Sequence, residues 1–455
     1  MPNELILVLL GYAIIGTIIA YFAKGGKTQE EYYIANRSLS GAISALTYAA
    51  TTYSAFMMVG LVGLAYMTGV GATGFELMYF VGTLFLLSYY APKIWHLSKE
   101  KGIISPTEFL KLHYGERTAK IATIVALVAL IPYTSVQLIG VALILETAGV
   151  NYIHGIIITA FLVCLWAFIG GLRGVAWTDA IQGIVMLLAA ITTVLYISSK
   201  INFLEFYKLG DLLYVPNRFW SFKKFVALVL PWFFFALTNP QVFQRLFIPK
   251  NERALKRMVV LFGLFGLLYT FLVTILGLEL RLLTENNKFP QILDRDKVTP
   301  TLLAFLPLPI CLIVSLSILA AALTTANSII LSLSSMISRD VVSEKGIMAG
   351  RISLLVLTFA TAIFAISRPE YIVELAVLSS TILLCQLPLI LGSLHFQVGD
   401  EITGTTTIII GFLTATLTWY FNVSVLNLPN SVTTFIVSFS IYLILTLSKT
   451  ILRRQ

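Results

Sequence analysis

Charge is scarce in this sequence. Of its 455 residues only 12% are charged, about half the share of an ordinary soluble domain. With 58% of the residues hydrophobic, that shortage excludes a water-soluble globule, because no core of this size could hide so much apolar surface. Histidine and cysteine are scarcer still, at four and three residues. Cys164, Cys311 and Cys385 fall within apolar stretches, and His96, His113, His154 and His395 near the ends of such stretches. Neither set has the spacing of metal ligands, and no disulfide framework is visible. Long polar segments are missing too. The largest, 96–118, 199–222 and 285–300, have room for loops and short helices, with no appended kinase or nucleotide-binding module. No cluster of His, Asp and Glu and no nucleophile motif argues for an enzyme. The net charge of +9 lies in loops, where membrane orientation explains it without nucleic acid.

What the sequence has is long apolar runs. About twenty such residues cross a bilayer as a helix, and only helices or closed barrels satisfy the backbone there. The runs are continuous, not alternating, so the chain reads as an all-α membrane protein. About thirteen spans are predicted, at 4–23, 41–67, 74–95, 119–148, 152–171, 175–198, 223–249, 254–284, 301–338, 349–367, 370–394, 403–422 and 430–449. The first does not read as a convincing signal peptide: no basic region precedes it, and Lys24 and Lys27 follow. With an odd number of spans, 21 of the 31 Lys+Arg collect on one side, among them Lys345, Lys449, Arg453 and Arg454. The positive-inside rule makes that side cytoplasmic, which puts the N-terminus outside and the C-terminus in the cytoplasm of a multi-pass protein of the cell membrane, in contact with lipid.

The second to sixth spans (41–198) and the seventh to eleventh (223–394) form two blocks of five. Residues 1–40 precede them and 395–455 follow, the whole being one transmembrane unit. Five is odd, so consecutive blocks insert with opposite polarity, as in transporters built from inverted repeats. Each block should then open with a broken helix. LTYAATTYSAFMMVGLVGLAYMTGVGATG (46–74) is rich in glycine and small polar residues. LPWFFFALTNPQVFQRL (230–246) carries Pro231 and Pro240, each of which removes a backbone donor.

The span at 301–338 contains ILAAALTTANS (318–328). On a helical wheel Ser317, Ala321, Thr324, Thr325, Ser328, Ser332 and Ser335 share an arc of roughly 100°, while Asn327 points elsewhere. Such a face serves close helix packing, its hydroxyls bonded back to their own helix. Equally, it could hold a hard cation, with hydroxyls and freed carbonyls replacing the water shell. Thr324 and Thr325 could then meet one point on the broken helix, where Ala50 and Tyr53 lie a turn apart.

Four segments together resemble the sodium/solute symporters, the family of sodium-coupled proline, pantothenate, galactose and glucose carriers. They are YYIANRSLSGAISALTYAATTYSAF (32–56), GGLRGVAWTDAIQGIVML (170–187), PWFFFALTNPQVFQRLF (231–247) and ILAAALTTANSIILSLSSMISRDVV (318–342). The resemblance covers about residues 28–450. It implies the five-plus-five inverted-repeat (LeuT-like) fold, with one extra helix before it and two after. It also implies a sodium site made by the carbonyls of Ala50, Tyr53 and Ala321 and the hydroxyls of Thr324 and Thr325, with Na+ as the coupling ion and no organic cofactor. The same resemblance places Thr52, Ser54, Ala55, Phe56, Met57, Glu76, Tyr133, Gln137, Trp232, Ala236 and Pro240 near a substrate cavity.

Several of these depart from familiar members. Thr52 stands where proline carriers have Asp, Ala236 where they have tyrosine, and Met57 replaces a sugar-binding glutamine. With Phe235, the aromatic lining favours a small solute with an apolar body, an amino acid such as proline or a carboxylate. Two acids lie within spans, where ionised groups are costly. Asp179 opens a span, as a helix-start residue at the dipole or, by resemblance, on the sodium exit route. Glu76 starts another, as an outer-end cap or a cavity acid. Arg245 closes the seventh span, where snorkelling to the interface accounts for it. The reading is sodium-coupled symport by alternating access. Proton coupling through Glu76 or Asp179, or a transporter-like sensor, are its alternatives.

Overall fold

Inside a bilayer each backbone amide needs a partner on its own segment, and helices supply it. The computed structural model, which describes residues 2–24, 26–343, 346–367 and 372–452, is accordingly helical, with no strand among the described residues. Lys345, Arg453, Arg454 and the first two residues of the span at 370–394 lie outside the described residues.

In chain order the helices are α1 (Pro2–Phe22), α2 (Gln29–Ile34), α3 (Gly41–Thr52), α4 (Val62–Thr68), α5 (Val70–Glu100), α6 (Glu108–Thr147), α7 (Tyr152–Ser198), α8 (Phe222–Phe233), α9 (Phe235–Thr238), α10 (Pro240–Gln244), α11 (Glu252–Glu285), α12 (Val298–Leu303), α13 (Leu308–Met336), α14 (Met348–Ile366), α15 (Ile372–Leu383), α16 (Leu387–His395), α17 (Glu401–Tyr420) and α18 (Asn430–Leu452). Ten described helices are long and apolar enough to span a bilayer, and α3 with the π-helical turn and α4 beyond it make an eleventh, bent by 52°. The count approaches the expected thirteen when two further features are included. One is α7, whose 47 residues would run roughly 70 Å if straight, over twice the hydrocarbon thickness. It breaks at Gly171, at φ 52°, where a side chain would meet the Tyr32 carbonyl at 2.7 Å. The other is the interrupted run α8–α10.

Both block openings are interrupted, by different means. In the second, Phe234 and Asn239 leave helical geometry and Pro240 starts α10. In the first, neither glycine nor proline makes the break. Tyr53 turns extended (φ −95°, ψ 91°), and the Ser54 hydroxyl takes the Phe56 amide at 3.1 Å, a side chain competing with the helix for its own backbone. Glycine acts later: Gly69, at φ 79°, ends α4, and any side chain there would strike the Leu212 backbone.

The centre of the bundle is α13. Every residue from Ser317 to Met336 is buried, as befits a helix enclosed on all sides, and it packs on α7, α6, α3, α10 and α14. Leu7, Leu10 and Ile14 of α1 and Val260, Leu264 and Leu268 of α11 are exposed, a face suited to lipid. The polar face of α13 therefore looks into protein throughout.

Candidate functional site

The break after Thr52 sets backbone oxygens free. In an unbroken helix the Ala55 amide would close on the Thr51 carbonyl; here it donates to Gln137 Oε1 instead, at 3.3 Å. Freed carbonyls need partners, and α13 supplies them. Thr324 Oγ1 donates to the Ala50 carbonyl at 2.8 Å and sits 2.9 Å from that of Ala321. Thr325 Oγ1 lies 3.4 Å from both the Ala50 and the Thr51 carbonyl. Ala50, Thr51, Ala321, Thr324 and Thr325 are all fully buried. Five neutral oxygens thus gather between an unwound helix end and a hydroxyl-bearing helix.

Four of the five residues expected at a sodium site, Ala50, Ala321, Thr324 and Thr325, are brought together in this way. The fifth, Tyr53, is at the break, with its amide on the Ala49 carbonyl at 2.8 Å and its ring stacked on Phe262. Its carbonyl receives no bond from either threonine, and that of Thr51 comes closer. The sequence named Thr51 only as part of the interrupted stretch; its position one residue before the last of α3 was the available signal. The donor set suits a hard monovalent cation, because unwound carbonyls and hydroxyls can replace water around sodium without a carboxylate. Among the described residues no group of three His, Cys, Asp or Glu could hold a metal ion.

One helical turn along both partners lies a buried ion pair. Thr51 Oγ1 and Ser328 Oγ are 2.9 Å apart. Arg245 Nη2 donates to the same Ser328 oxygen at 2.5 Å and lies 3.8 Å from Asp179 Oδ2, which also receives the Thr47 hydroxyl at 2.6 Å. Both charged side chains are 0% exposed. This corrects two readings of the sequence. Arg245 does not snorkel to an interface, because the interrupted run α8–α10 carries its end into the bundle. Asp179 does not cap a helix start, because it lies inside α7, eight residues past the Gly171 break.

Several of the residues expected at the substrate cavity lie together beside the segment that follows the break. The Phe56 and Trp232 rings are 5.2 Å apart, and Trp232 contacts Phe75, Tyr79 and Phe235 at 5.9, 5.0 and 5.6 Å. Gln137 reaches back to the Tyr133 carbonyl while holding Ala55. Met57 bonds the Ser54 carbonyl through its amide, and Ala236 and Thr52 are buried nearby in sequence. Pro240 is separate: it lines a narrow crevice with Thr107, Phe243 and Gln386. Glu76 is no outer cap. It is completely buried on α5, six residues past its start. Tyr79, which the sequence reading missed, shares its helical face three residues on.

Both ends of the bundle are tied. At one, Arg339 bridges Glu108 at 2.5 Å and Asp340 receives the hydroxyls of Ser105 and Thr107 at 2.7 and 2.6 Å. At the other, Arg295 pairs with Glu374 and the Thr299 hydroxyl with the Met58 carbonyl.

Comparison with known proteins follows the same outline. The family model described as the sodium:solute symporter family matches residues 32–394. A sodium/pantothenate symporter of Haemophilus influenzae is 27% identical over 348 residues, which cover 74% of this chain and 71% of that one. Sodium/proline symporter 2 of Staphylococcus saprophyticus is 24% identical over 396 residues, 81% of this chain and 76% of its own. Among solved structures, a substrate-bound, outward-open Na+-coupled sialic acid symporter superposes with a TM-score of 0.85, covering 99% of this chain and 98% of that one at 18% identity. That likeness establishes the LeuT-like architecture of the helices.

Proposed function

The chain belongs to the sodium:solute symporter family, and from that premise we propose that it carries a small organic solute across the membrane together with sodium. The observation that carries this reading is the meeting of Thr324 and Thr325 with the Ala50 and Thr51 carbonyls at the α3 break. Sodium bound there bridges the broken helix to α13. That fixes α3 against the bundle and orders the adjoining cavity for solute. Sodium raises solute affinity, and by linkage solute raises sodium affinity by the same factor. The ion moves down its electrochemical gradient, about 2.3 kcal/mol per charge per 100 mV plus the concentration part.

In this reading residues 41–198 and 223–394 are the two inverted halves, and alternating access opens one tied end at a time. Asp179 stands on the route sodium takes out. Thr47, Thr51 and Ser328 link it to the ion's oxygens, and Arg245 holds its charge when the ion is elsewhere. The end bearing Glu108 and Arg339 is the cytoplasmic one, as the loop charges indicate, so the N-terminus is outside. The solute is an amino acid or a carboxylate, whose apolar part meets Phe56, Trp232 and Phe235.

The test is uptake in proteoliposomes of defined internal and external ions, with amino acids, short carboxylates and sugars as solutes. Uptake that rises with an inward sodium gradient at fixed pH supports the reading. Uptake that follows a proton gradient and ignores sodium refutes it in favour of proton coupling through Glu76 or Asp179.

A further inference from the structure

Among the described residues Glu76 is the fully buried carboxylate beside the aromatic cluster, and it stands alone. Neither of its oxygens has a hydrogen-bond partner. The other buried acids near the translocation route have theirs: Asp179 holds Thr47 and Arg245, and Asp340 holds Ser105 and Thr107. The phenols of Tyr53, Tyr79 and Tyr133 lie near Glu76, and among the described residues no Lys, Arg or His bonds to either of its oxygens. The Tyr79 hydroxyl, the Thr52 hydroxyl and the Trp232 indole N–H are also buried without partners.

A native protein leaves few buried polar groups unsatisfied, and an ionised one at membrane depth is costly unless a counter-charge arrives. Four such residues on three helices, α3, α5 and α8, beside rings whose centroids are 5.0–5.6 Å apart, make a cluster of unpaired polar groups suited to meet a ligand. Its chemistry is one carboxylate, several aromatic faces and no cation. Aromatic faces attract cations, by about 2 kcal/mol or more when desolvated. A cation would let the buried acid ionise in place, which a neutral sugar does not do, and a carboxylate solute would set a second acid beside it.

We propose that the transported solute presents a positively charged nitrogen, an ammonium of any substitution, to Glu76, with the rings of Tyr79 and Trp232 against it. This rests on the symport reading above and narrows its solute to amines, quaternary ammonium compounds and amino acids, with simple carboxylates excluded.

The experiment uses the full chain in nanodiscs and measures thermal stabilisation, and quenching of tryptophan fluorescence, in sodium and in potassium. The probes are choline, tetramethylammonium, pyrrolidine and proline, each against an uncharged analogue such as 3,3-dimethylbutanol for choline, together with acetate, lactate and glucose. The proposal expects at least one nitrogen cation to bind in sodium about tenfold or more tighter than its uncharged analogue. It also expects Glu76→Gln to erase that preference while the stabilisation by sodium alone persists. Glu76→Asp, which keeps the charge, should retain part of it and guards against misfolding of the Gln variant. Sodium stabilisation accompanied by preference for glucose, lactate or the uncharged analogues overturns the ammonium proposal and leaves sodium coupling standing. A preference for ammonium that survives Glu76→Gln also overturns it. Absence of any sodium effect, with or without ammonium binding, overturns the sodium reading separately.

Discussion

Thr51 and Ser328 are joined through their hydroxyl oxygens at 2.9 Å, and that contact connects two buried polar clusters one helical turn apart. On one side lie the Ala50, Thr51 and Ala321 carbonyls with Thr324 and Thr325. On the other lie Arg245 and Asp179, with Arg245 on the same Ser328 oxygen. In the proposed reading, an ion leaving the first set along α13 would meet Ser328 next. The hydroxyl can turn either as donor or as acceptor, so it could meet a cation as well as the arginine that it already accepts from.

The two threonines are expected to carry sodium dependence. Thr324→Ala combined with Thr325→Ala removes two of five oxygens and leaves the Ala50 and Thr51 carbonyls without those partners. Sodium affinity should fall by two orders of magnitude or more, roughly 1.4 kcal/mol for each tenfold, while helical content is retained. Thr324→Ser with Thr325→Ser keeps both hydroxyls and should restore most of it. Binding of radioactive sodium to purified protein reads the difference. Unchanged sodium affinity in the alanine pair would mean that the hydroxyls only pack helices.

Removing one member of the buried ion pair should cost more than removing both. Arg245→Ala leaves Asp179 buried with only the Thr47 hydroxyl, and stranding a buried charge costs about 3–5 kcal/mol. The double variant Arg245→Ala, Asp179→Ala strands neither and should recover part of the loss. Thermal unfolding of the four proteins in one detergent forms the cycle. Additive losses would show that the 3.8 Å separation carries no coupling.

Much of this was legible in the residues. The apolar runs gave the spans, because lipid imposes a length and a composition. The periodicity of Thr324, Thr325, Ser328, Ser332 and Ser335 gave the polar face of α13. Two of those serines also meet Gln244, Ser332 donating at 2.5 Å and Ser335 accepting at 3.1 Å. Less legible was anything that depends on where an interrupted helix goes. Arg245 precedes a basic loop and so looked interfacial, yet the turns at Phe234 and Asn239 take it inward. The first break was expected from glycines and small polar residues alike, and it is one of the latter, Ser54, whose side chain marks it at Tyr53–Ala55. Glu76 and Asp179 looked like helix-start residues because the spans were begun too late, at 74 and 175, whereas α5 begins at Val70 and the second half of α7 follows directly on the Gly171 break. Hydropathy marks where lipid begins and says little about where a helix does.

The pair between Arg295 and Glu374 is partly exposed, at 17% and 53%, and pairs of that kind add roughly 0–1 kcal/mol to stability. Its place matters more, since it ties the loop before α12 to α15. Glu374→Gln should leave the melting temperature within a degree or two and quicken the release of bound sodium to that side. Stopped-flow dilution of sodium with a fluorescent reporter measures this. A large fall in stability with unchanged release would make the pair a structural brace and not a latch.

Gly171 tests the break in α7 on which the position of Asp179 depends. Its φ of 52° with ψ of −157° lies where a side chain is strained, at a cost on the order of 1–3 kcal/mol. A Cβ would also press on the Tyr32 carbonyl at 2.7 Å, and Tyr32 is itself anchored by its hydroxyl to the Ala167 carbonyl at 2.9 Å. The two halves of α7 and the segment at 29–34 thus share one junction. Gly171→Ala should lower the melting temperature by several degrees. It should also weaken sodium coupling without touching any oxygen of the site, because displacing the second half of α7 moves Asp179 away from Thr47. A control substitution at Gly11, where nothing lies within 4 Å of an added Cβ, should do neither. If Gly171→Ala melted like the parent and transported normally, the break would be incidental and Asp179 would owe its position to packing alone.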